Sequence, residues 1–562
     1  MKTKIVLPNN RQIFFVGIII ILLMTGLIYR SSLKGEFLSY DDTENVVNNP
    51  LIRNLTLNTI PQFFHSEKLY MYTPLTFLSY ALDYKIGGMD PYWFRFTNLL
   101  LNLLNIILTF ILALQLLNKR ILALFVAILF AVHPINVDSV AWISARSNLL
   151  AGTFILLSII FYLFYIKKFN YWYLTLSVLT YLLSILSKSS FVLLPVFLFF
   201  LDYLQRRKWS AKTVIEKAPY FLFGLMIGLV TLFFRTDIGY SQSVASYSSI
   251  DRIFMLFYSL DGYLLKAILP VNLSEIYTYP VKINGFLPIL YYFSPIIFIL
   301  IPVFLIISFK SKDLQKQIIT YFLFFLLLII PTQSVIIEDG FMANRYGYIP
   351  LIGIFILLVV LINIIVMRFP TIIKWLIPLT IIIFIGFSVH SYNRSKVWRT
   401  TTILFDHAIS VSPDASFAYN GRGMAKYLNN DFDGALADYN EAIKLNPVYS
   451  TCFYNRGIVF YNDQQYKEAL QDYSSAIKLN SKFASCYDAR GILYMDIIGN
   501  DSLALLDYNQ AIQINPKFAQ AFYNRGILFM RMQNTVSACN DFRKVKQLGY
   551  SQANELIERY CQ

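Results

Sequence analysis

The sequence predicts an all-α protein in two parts, a polytopic bundle of membrane-spanning helices followed by an α-solenoid of helical hairpins. Three observations carry this. Of 562 residues, 56% are hydrophobic and 14% charged, against roughly 45–50% and 25% in soluble globular proteins. Apolar runs approach the roughly 20 residues that cross a bilayer as a helix. From about Ser412 the chain repeats itself every 34 residues. A disordered chain and a wholly soluble enzyme are excluded. We assign 1–400 to the membrane domain and 401–562 to the repeat domain.

Apolar segments fall near 13–29, 96–117, 121–136, 148–166, 171–187, 189–204, 217–235, 252–272, 286–309, 317–336, 346–367 and 371–390. Lys2, Lys4 and Arg11 precede the first, and Arg30 follows it without a small-residue cleavage site. It reads as an uncleaved first span. The net charge is +15. Much of the excess lies in short loops beside spans, where it sets orientation and gives no reason to invoke nucleic acid. With the N-terminus inside, Lys119–Arg120, Lys167–Lys168 and the Arg206–Lys217 loop all fall inside. Lys310, Lys312 and Lys316 return inside only if 252–272, which follows Asp251 and carries Arg252, Asp261 and Lys266, is interfacial or re-entrant. About eleven spans result, an odd number, so the C-terminal domain lies outside. The stretches 30–95, 133–148, 236–285 and 337–346 then share the outer side.

Beyond Ser412 an Arg-Gly pair recurs at Arg422–Gly423, Arg456–Gly457, Arg490–Gly491 and Arg525–Gly526, with glycine spacings of 34, 34 and 35. Each of the first three pairs is followed by Ala-Leu-x-Asp-Tyr, at Ala435–Tyr439, Ala469–Tyr473 and Ala504–Tyr508. The period and the closing prolines Pro447 and Pro516 resemble the tetratricopeptide repeat, with units near 416–449, 450–483, 484–518 and 519–552. Repeat position puts Asn420, Tyr454, Asp488 and Tyr523 on the concave face, either touching a bound peptide or packed between helices. Cys452 and Cys486 hold equivalent places in neighbouring repeats, too far apart for a disulfide, and read as small buried hydrophobes. The four cysteines and four histidines have no metal-ligand spacing.

Ionisable residues at a membrane boundary are costly and point to function. Asp41 and Asp42 follow the first span. They fit a general base or a metal-coordinated phosphate, and equally a solvated turn. His133, Asp138 and Arg146 lie within one outer stretch, where arginine suits phosphate, or snorkels while the aspartate caps a helix. Arg345 opens a span beside Glu338 and Asp339, and Lys188 sits between two tightly joined spans. Both suit a lipid phosphate or the membrane interface. Neither G-x-x-x-x-G-K-[ST] nor G-x-G-x-x-G occurs, which fits a lipid-linked donor.

Asp41-Asp42 with Asn49-Pro50, His133-Pro134 through Arg146, Leu186-Ser187-Lys188 with Pro195 and Asp202, Leu269 through Pro280, and Asn344-Arg345-Tyr346 with Tyr348-Ile349-Pro350 together resemble the membrane TPR-containing protein O-mannosyltransferase-like family. The membrane half is similar to GT-C glycosyltransferases. Where the family has an acidic residue after the lysine, this chain has Ser189-Ser190-Phe191. The resemblance implies a transferase that moves a sugar, mannose first, from a polyprenyl-phosphate carrier to Ser or Thr of a protein held by the repeats. It implies Asp41 as base and Asp42 as its neighbour for acceptor or metal. Arg146, Arg345, Lys188 and His133 would lie toward the donor lipid phosphate. No tightly bound cofactor is expected, and a divalent metal is compatible. Membrane lipids and a protein acceptor are the expected partners. A bacterial inner membrane, N-terminus cytoplasmic and repeats periplasmic, is the compositional expectation. The alternative is a non-catalytic membrane-anchored scaffold for envelope assembly.

Overall fold

The structure, a computed structural model, describes residues 11–65, 72–235, 247–333 and 341–561. Lys2, Lys4, Glu338 and Asp339, and the outer stretch over 236–246, lie outside the described residues. The chain forms two compact units, Met1–Ser412 and Pro413–Gln562. Residues 401–412, given above to the repeats, therefore belong to the first unit. The helix Thr401–Val411 is held there by Thr401, whose N–H donates to Glu36 Oε1 (2.9 Å) and whose Oγ1 accepts from Ser39 N (3.1 Å).

Among the described residues of the first unit, eight helices are long and apolar enough to cross a membrane, or nine if the bent pair Arg120–Val132 and Pro134–Ala141 is one span. Two shorter apolar helices, Tyr171–Ser187 and Leu194–Leu204, stand beside them. Eleven is reached when the bent pair and both short helices are counted. Ser249–Ile268 lies outside that set: it opens with a capping box between Ser248 and Asp251, and Asp251 pairs with Lys282 (2.7 Å). These helices are an integral membrane protein's.

Local chemistry sets the ends. Asp90 accepts from Tyr92 N and Pro91 opens the helix Pro91–Leu117, which Asn118 closes in a left-handed conformation. Asn170 caps Tyr171–Ser187. Inside the bundle a polar stripe runs down the helix Pro91–Leu117. Asn98 accepts from Arg146, Asn102 accepts from the Tyr348 hydroxyl (2.7 Å), and Asn105 donates to Leu149 O and accepts from Thr153. Amides at i, i+4 and i+7 share one face. In an apolar surround, each amide has to be answered by the protein.

The second unit contains four helical hairpins. They are Ser416–Leu428 with Phe432–Leu445, Ser450–Asn462 with Tyr466–Leu479, Ala484–Leu493 with Asp501–Ile514, and Ala519–Arg531 with Thr535–Gln547. The Arg-Gly pair and the Asp-Tyr pair explain each other. Arg422, Arg456, Arg490 and Arg525 fork onto Asp438, Asp472, Asp507 and Asp541 of the second helix, as in Arg456 Nε to Asp472 Oδ2 at 2.7 Å. Arg456, Arg490 and Arg525 also donate to Asn440, Ser474 and Asn509 of the preceding hairpin. Each glycine lies under an aromatic ring. A Cβ at Gly457 would stand 2.7 Å from Tyr473 Cε1.

The 35-residue spacing also has a local cause. The third hairpin's first helix ends in a π-turn, Tyr494–Ile498, which takes up one extra residue before Gly499 at φ +71°. The arginine-aspartate pair therefore survives with one more residue between its partners. Cys452 and Cys486 are buried and free, as expected, with their thiols pushed up to about 12 by burial. Cys539 and Cys561 form a disulfide that sequence spacing did not suggest. It ties the terminal helix Asn554–Tyr560 to the last hairpin.

Gly457→Val is expected to destabilise the second hairpin by roughly 2–3 kcal/mol through overpacking against Tyr473. Faster hydrogen exchange across 450–479 in the full chain would register it, and unchanged protection would refute the packing.

Candidate active site at the polar end of the membrane unit

The site is assembled from loops far apart in the chain. Asp42 is buried. Its Oδ2 accepts from Leu38 N (3.0 Å), and its Oδ1 accepts from Ser144 N (3.0 Å) and Ser144 Oγ (2.5 Å). Burial pushes its pKa up, while the bonds from Ser144 and Leu38 and the charge of Arg95 pull the other way. Arg95, also buried, donates to Ala141 O and Glu36 O, both at 2.5 Å. Asp42 and Arg95 thus lock the loop after the first span onto the turn at 141–145.

That lock presents Tyr40 and Asp41. Asp41 is exposed. The Tyr40 ring stacks on Trp142 at 4.9 Å, and Trp142 stacks on Trp398 at 5.3 Å. The half-buried Arg345 places its guanidinium 5.0 Å over Trp142 and 5.0 Å over Tyr346. Lys188 lies 5.0 Å over the same Tyr346 ring and donates to Asn148 Oδ1 (2.9 Å). Aromatic faces hold cations without neutralising them. One run of rings therefore links Tyr40, beside Asp41, to two positive charges.

A second cluster supports it. Arg394 donates to Asp138 Oδ1 (2.7 Å), to Glu275 Oε1 (3.0 Å) and to Leu273 O. Asp138 also accepts from Trp398 Nε1 (3.1 Å) and Asn344 Nδ2 (2.9 Å), and Glu275 pairs with His407 (2.9 Å). The Tyr277 hydroxyl donates to Asn344 Oδ1 (2.8 Å). Described parts of the four stretches read as sharing one side are thereby joined directly. Arg394, Glu275 and Trp398 were not singled out by sequence. Arg394, an arginine at the end of an apolar helix, reads by itself as an interface residue.

The sequence-selected residues separate into two groups. Arg345 and Lys188 lie over the rings, and Asp41 follows Tyr40 at one end of the run. Arg146 and His133 do not join them. Arg146 has no exposure. It forms an ion pair with Asp83, donates to Asn98 Oδ1 (2.8 Å) and lies 4.6 Å over Tyr80. It is neither snorkelling nor open to a phosphate. His133 is buried. Its Nδ1 accepts from Ile135 N (3.3 Å), its Nε2 lies 3.3 Å from Ala267 O, and its ring packs on Phe355 and Phe387. Asp42's oxygens are occupied by protein donors, so a metal there would have to displace them. No group of three metal-ligating side chains occurs among the described residues.

In the repeats, Asn420 and Asp488 turn inward. Asn455 donates to Asn420 Oδ1 (3.0 Å), and Asn524 donates to both Asp488 oxygens (2.9 and 3.1 Å), so both residues join adjacent hairpins. Tyr454 and Tyr523 are half-buried against Phe483 and Phe542.

Profiles described as TPR repeat match residues 423–464 and 498–533, and one described as tetratricopeptide repeat matches 450–483. A protein O-mannosyl-transferase of Caenorhabditis elegans is 23% identical over 421 residues, 72% of this chain and 59% of its own length. An alignment of that length runs well beyond the repeats into the membrane unit. The protein O-mannosyl-transferase TMTC1 of Mus musculus is 34% identical over 146 residues, 24% of this chain and 15% of its own length. The chain spans less than two thirds of the length of these curated relatives. Among solved structures, the crystal structure of MamA aligns at 19% identity over 27% of this chain and 89% of its own, with a TM-score of 0.25.

Two outcomes test these assignments. Arg146→Met leaves the buried Asp83 unpaired and is expected to destabilise the detergent-solubilised protein by about 3–5 kcal/mol. Adding Asp83→Asn is expected to restore most of the loss in thermal stability. A residue held for a lipid phosphate would show neither effect. Burial pushes the Asp488 carboxyl up to about 6. Its folded pKa lies above its ordinary value of 3.8, so its stabilising contribution is complete below that pH and lost as pH rises through about 6. Asp488→Asn reproduces the Asn420–Asn455 pair. It is expected to stabilise the repeats at pH 8 by up to about 3 kcal/mol and to flatten their pH dependence, read as hydrogen-exchange protection of 484–531 at pH 5 and pH 8. The chain is a tetratricopeptide-repeat membrane protein that resembles the protein O-mannosyl-transferases through its membrane unit as well as its repeats.

Proposed function

We propose that the chain is a GT-C-type glycosyltransferase. It moves a sugar, mannose first, from a polyprenyl-phosphate carrier to a Ser or Thr hydroxyl of a protein held by the repeats. The observation that carries this is the ring-linked grouping of Asp41's loop with Arg345 and Lys188. The acceptor oxygen attacks the anomeric carbon, the carbon–oxygen bond to the carrier phosphate breaks, and Asp41 takes the hydroxyl proton. Arg345 and Lys188 stabilise the charge that builds on the departing phosphate. Asp42 acts as a positioning residue: through Ser144 and Leu38 it fixes the backbone that presents Asp41.

The names of the relatives support the reaction class, and the repeats support a protein acceptor. The reading places the active site and the repeats on the outer face and the N-terminus inside, following the lysine and arginine bias of the loops. The relatives named above are animal proteins, whereas the expectation of a bacterial inner membrane rests on composition alone.

Transfer of radiolabelled mannose from polyprenyl-phosphate-mannose to protein is the direct test. Asp41→Asn is expected to lower the rate by roughly 100-fold or more with membrane insertion intact. Arg345→Met is expected to lower it as well. Full activity in Asp41→Asn would remove the assigned base. Absence of label with mannose and with a panel of other lipid-linked sugars would favour a non-catalytic scaffold.

A further inference from the structure

A second basic grouping lies in the membrane unit, on residues separate from the rings that hold Arg345 and Lys188. The connection after the helix Leu194–Leu204 and the start of the helix Lys312–Ile329 line an open surface depression of 620 Å³. That volume is in the range of small-ligand sites, roughly 300–1,000 Å³. Five cationic side chains line it, those of Arg206, Arg207, Lys208, Lys312 and Lys316, against the one carboxylate of Asp313.

These charges are not equivalent. Arg207 is largely buried and held by Glu216 (2.7 Å) and Asp202 (3.6 Å), so it belongs to the wall. Arg206, at φ +56°, forks onto Asp313 with both contacts at 2.5 Å. Among the described residues, Lys208, Lys312 and Lys316 have no carboxylate partner. Lys316 instead lies 4.8 Å over the Tyr203 ring. The opposite wall is also set, because Gln315 Nε2 donates to Ile306 O (3.1 Å) and Phe309 O (2.8 Å) and ties down the turn before Lys312.

The rim is amphipathic. Trp209 is 68% exposed and packs on Phe199 at 5.5 Å, beside helices apolar enough to meet lipid. Tryptophan and tyrosine concentrate at the headgroup level. Surplus positive charge in a depression rimmed by interfacial aromatics matches a phosphate carried on a lipid. We infer that this depression binds the phosphate of an anionic lipid headgroup, with Lys208, Lys312 and Lys316 as its contacts and the Arg206–Asp313 ion pair beside them.

Native mass spectrometry of the full chain in detergent, titrated with phosphatidylglycerol and with phosphatidylcholine, tests this. Wild type is expected to retain phosphatidylglycerol preferentially. Near an anionic surface each lysine is worth roughly a fivefold factor, so the triple variant Lys208→Gln, Lys312→Gln, Lys316→Gln is expected to lose on the order of a hundredfold in affinity. Asp313→Asn, which removes the only lining carboxylate, is expected to tighten binding. All four positions are surface side chains of the loops and helix start, and circular dichroism verifies the fold of each variant. Equal retention of both lipids, or wild-type affinity in the triple variant, would overturn the site. Displacement of phosphatidylglycerol by equimolar glycerol 3-phosphate would assign the depression to a soluble phosphate and overturn the lipid.

Discussion

A charge withdrawn from water beside a bilayer must be neutralised and hydrogen-bonded by the protein itself. Three buried arginines, Arg95, Arg146 and Arg394, impose this demand on the membrane unit. Each is answered by groups distant in sequence. Arg95 takes the carbonyls of Glu36 and Ala141, Arg146 takes Asp83 and Asn98, and Arg394 takes Asp138 and Glu275. Satisfying them draws the loops between spans into one polar end. Without those loops in place, each guanidinium would be left buried and uncompensated, so the charges act as a constraint on topology more than as a source of stability.

The same constraint divides the two consecutive aspartates. Asp42 faces inward, and three protein donors hold it. Asp41, one residue earlier, is exposed. A buried neighbour with fixed bonds gives the exposed carboxylate a defined backbone. Rings do the corresponding work for the cations. Arg345 and Lys188 both lie against the Tyr346 ring, which orients them.

The repeats use a different device. Stacked hairpins have no large core, so each one relies on its neighbours. Here an arginine reaches the aspartate of its own second helix and, from the second repeat onward, a polar side chain of the hairpin before it. Amide and carboxylate pairs, Asn420 with Asn455 and Asp488 with Asn524, add a second tie between hairpins. The π-turn at Tyr494–Ile498 lets the third repeat carry an extra residue without breaking this pattern.

The spans and the repeats were legible in the sequence because apolar length and a fixed period are local properties of the chain. Even the extra residue of the third repeat could be bracketed between Gly491 and Asp507. The identity of the ionisable residues at the membrane boundary was legible for the same reason, since charge within apolar sequence is conspicuous. Their roles were not. Whether Arg146 meets a ligand or Asp83, whether Asp42 is a base or a staple, and whether Asp488 faces a peptide or Asn524 depends on partners 36 to 102 residues away. Cys539 and Cys561 illustrate the same limit: only the fold of the last hairpin and terminal helix brings them together. Sequence by itself determined which groups are costly to bury, and tertiary structure alone decided which groups of the protein answer them, because those partners lie far apart in the chain.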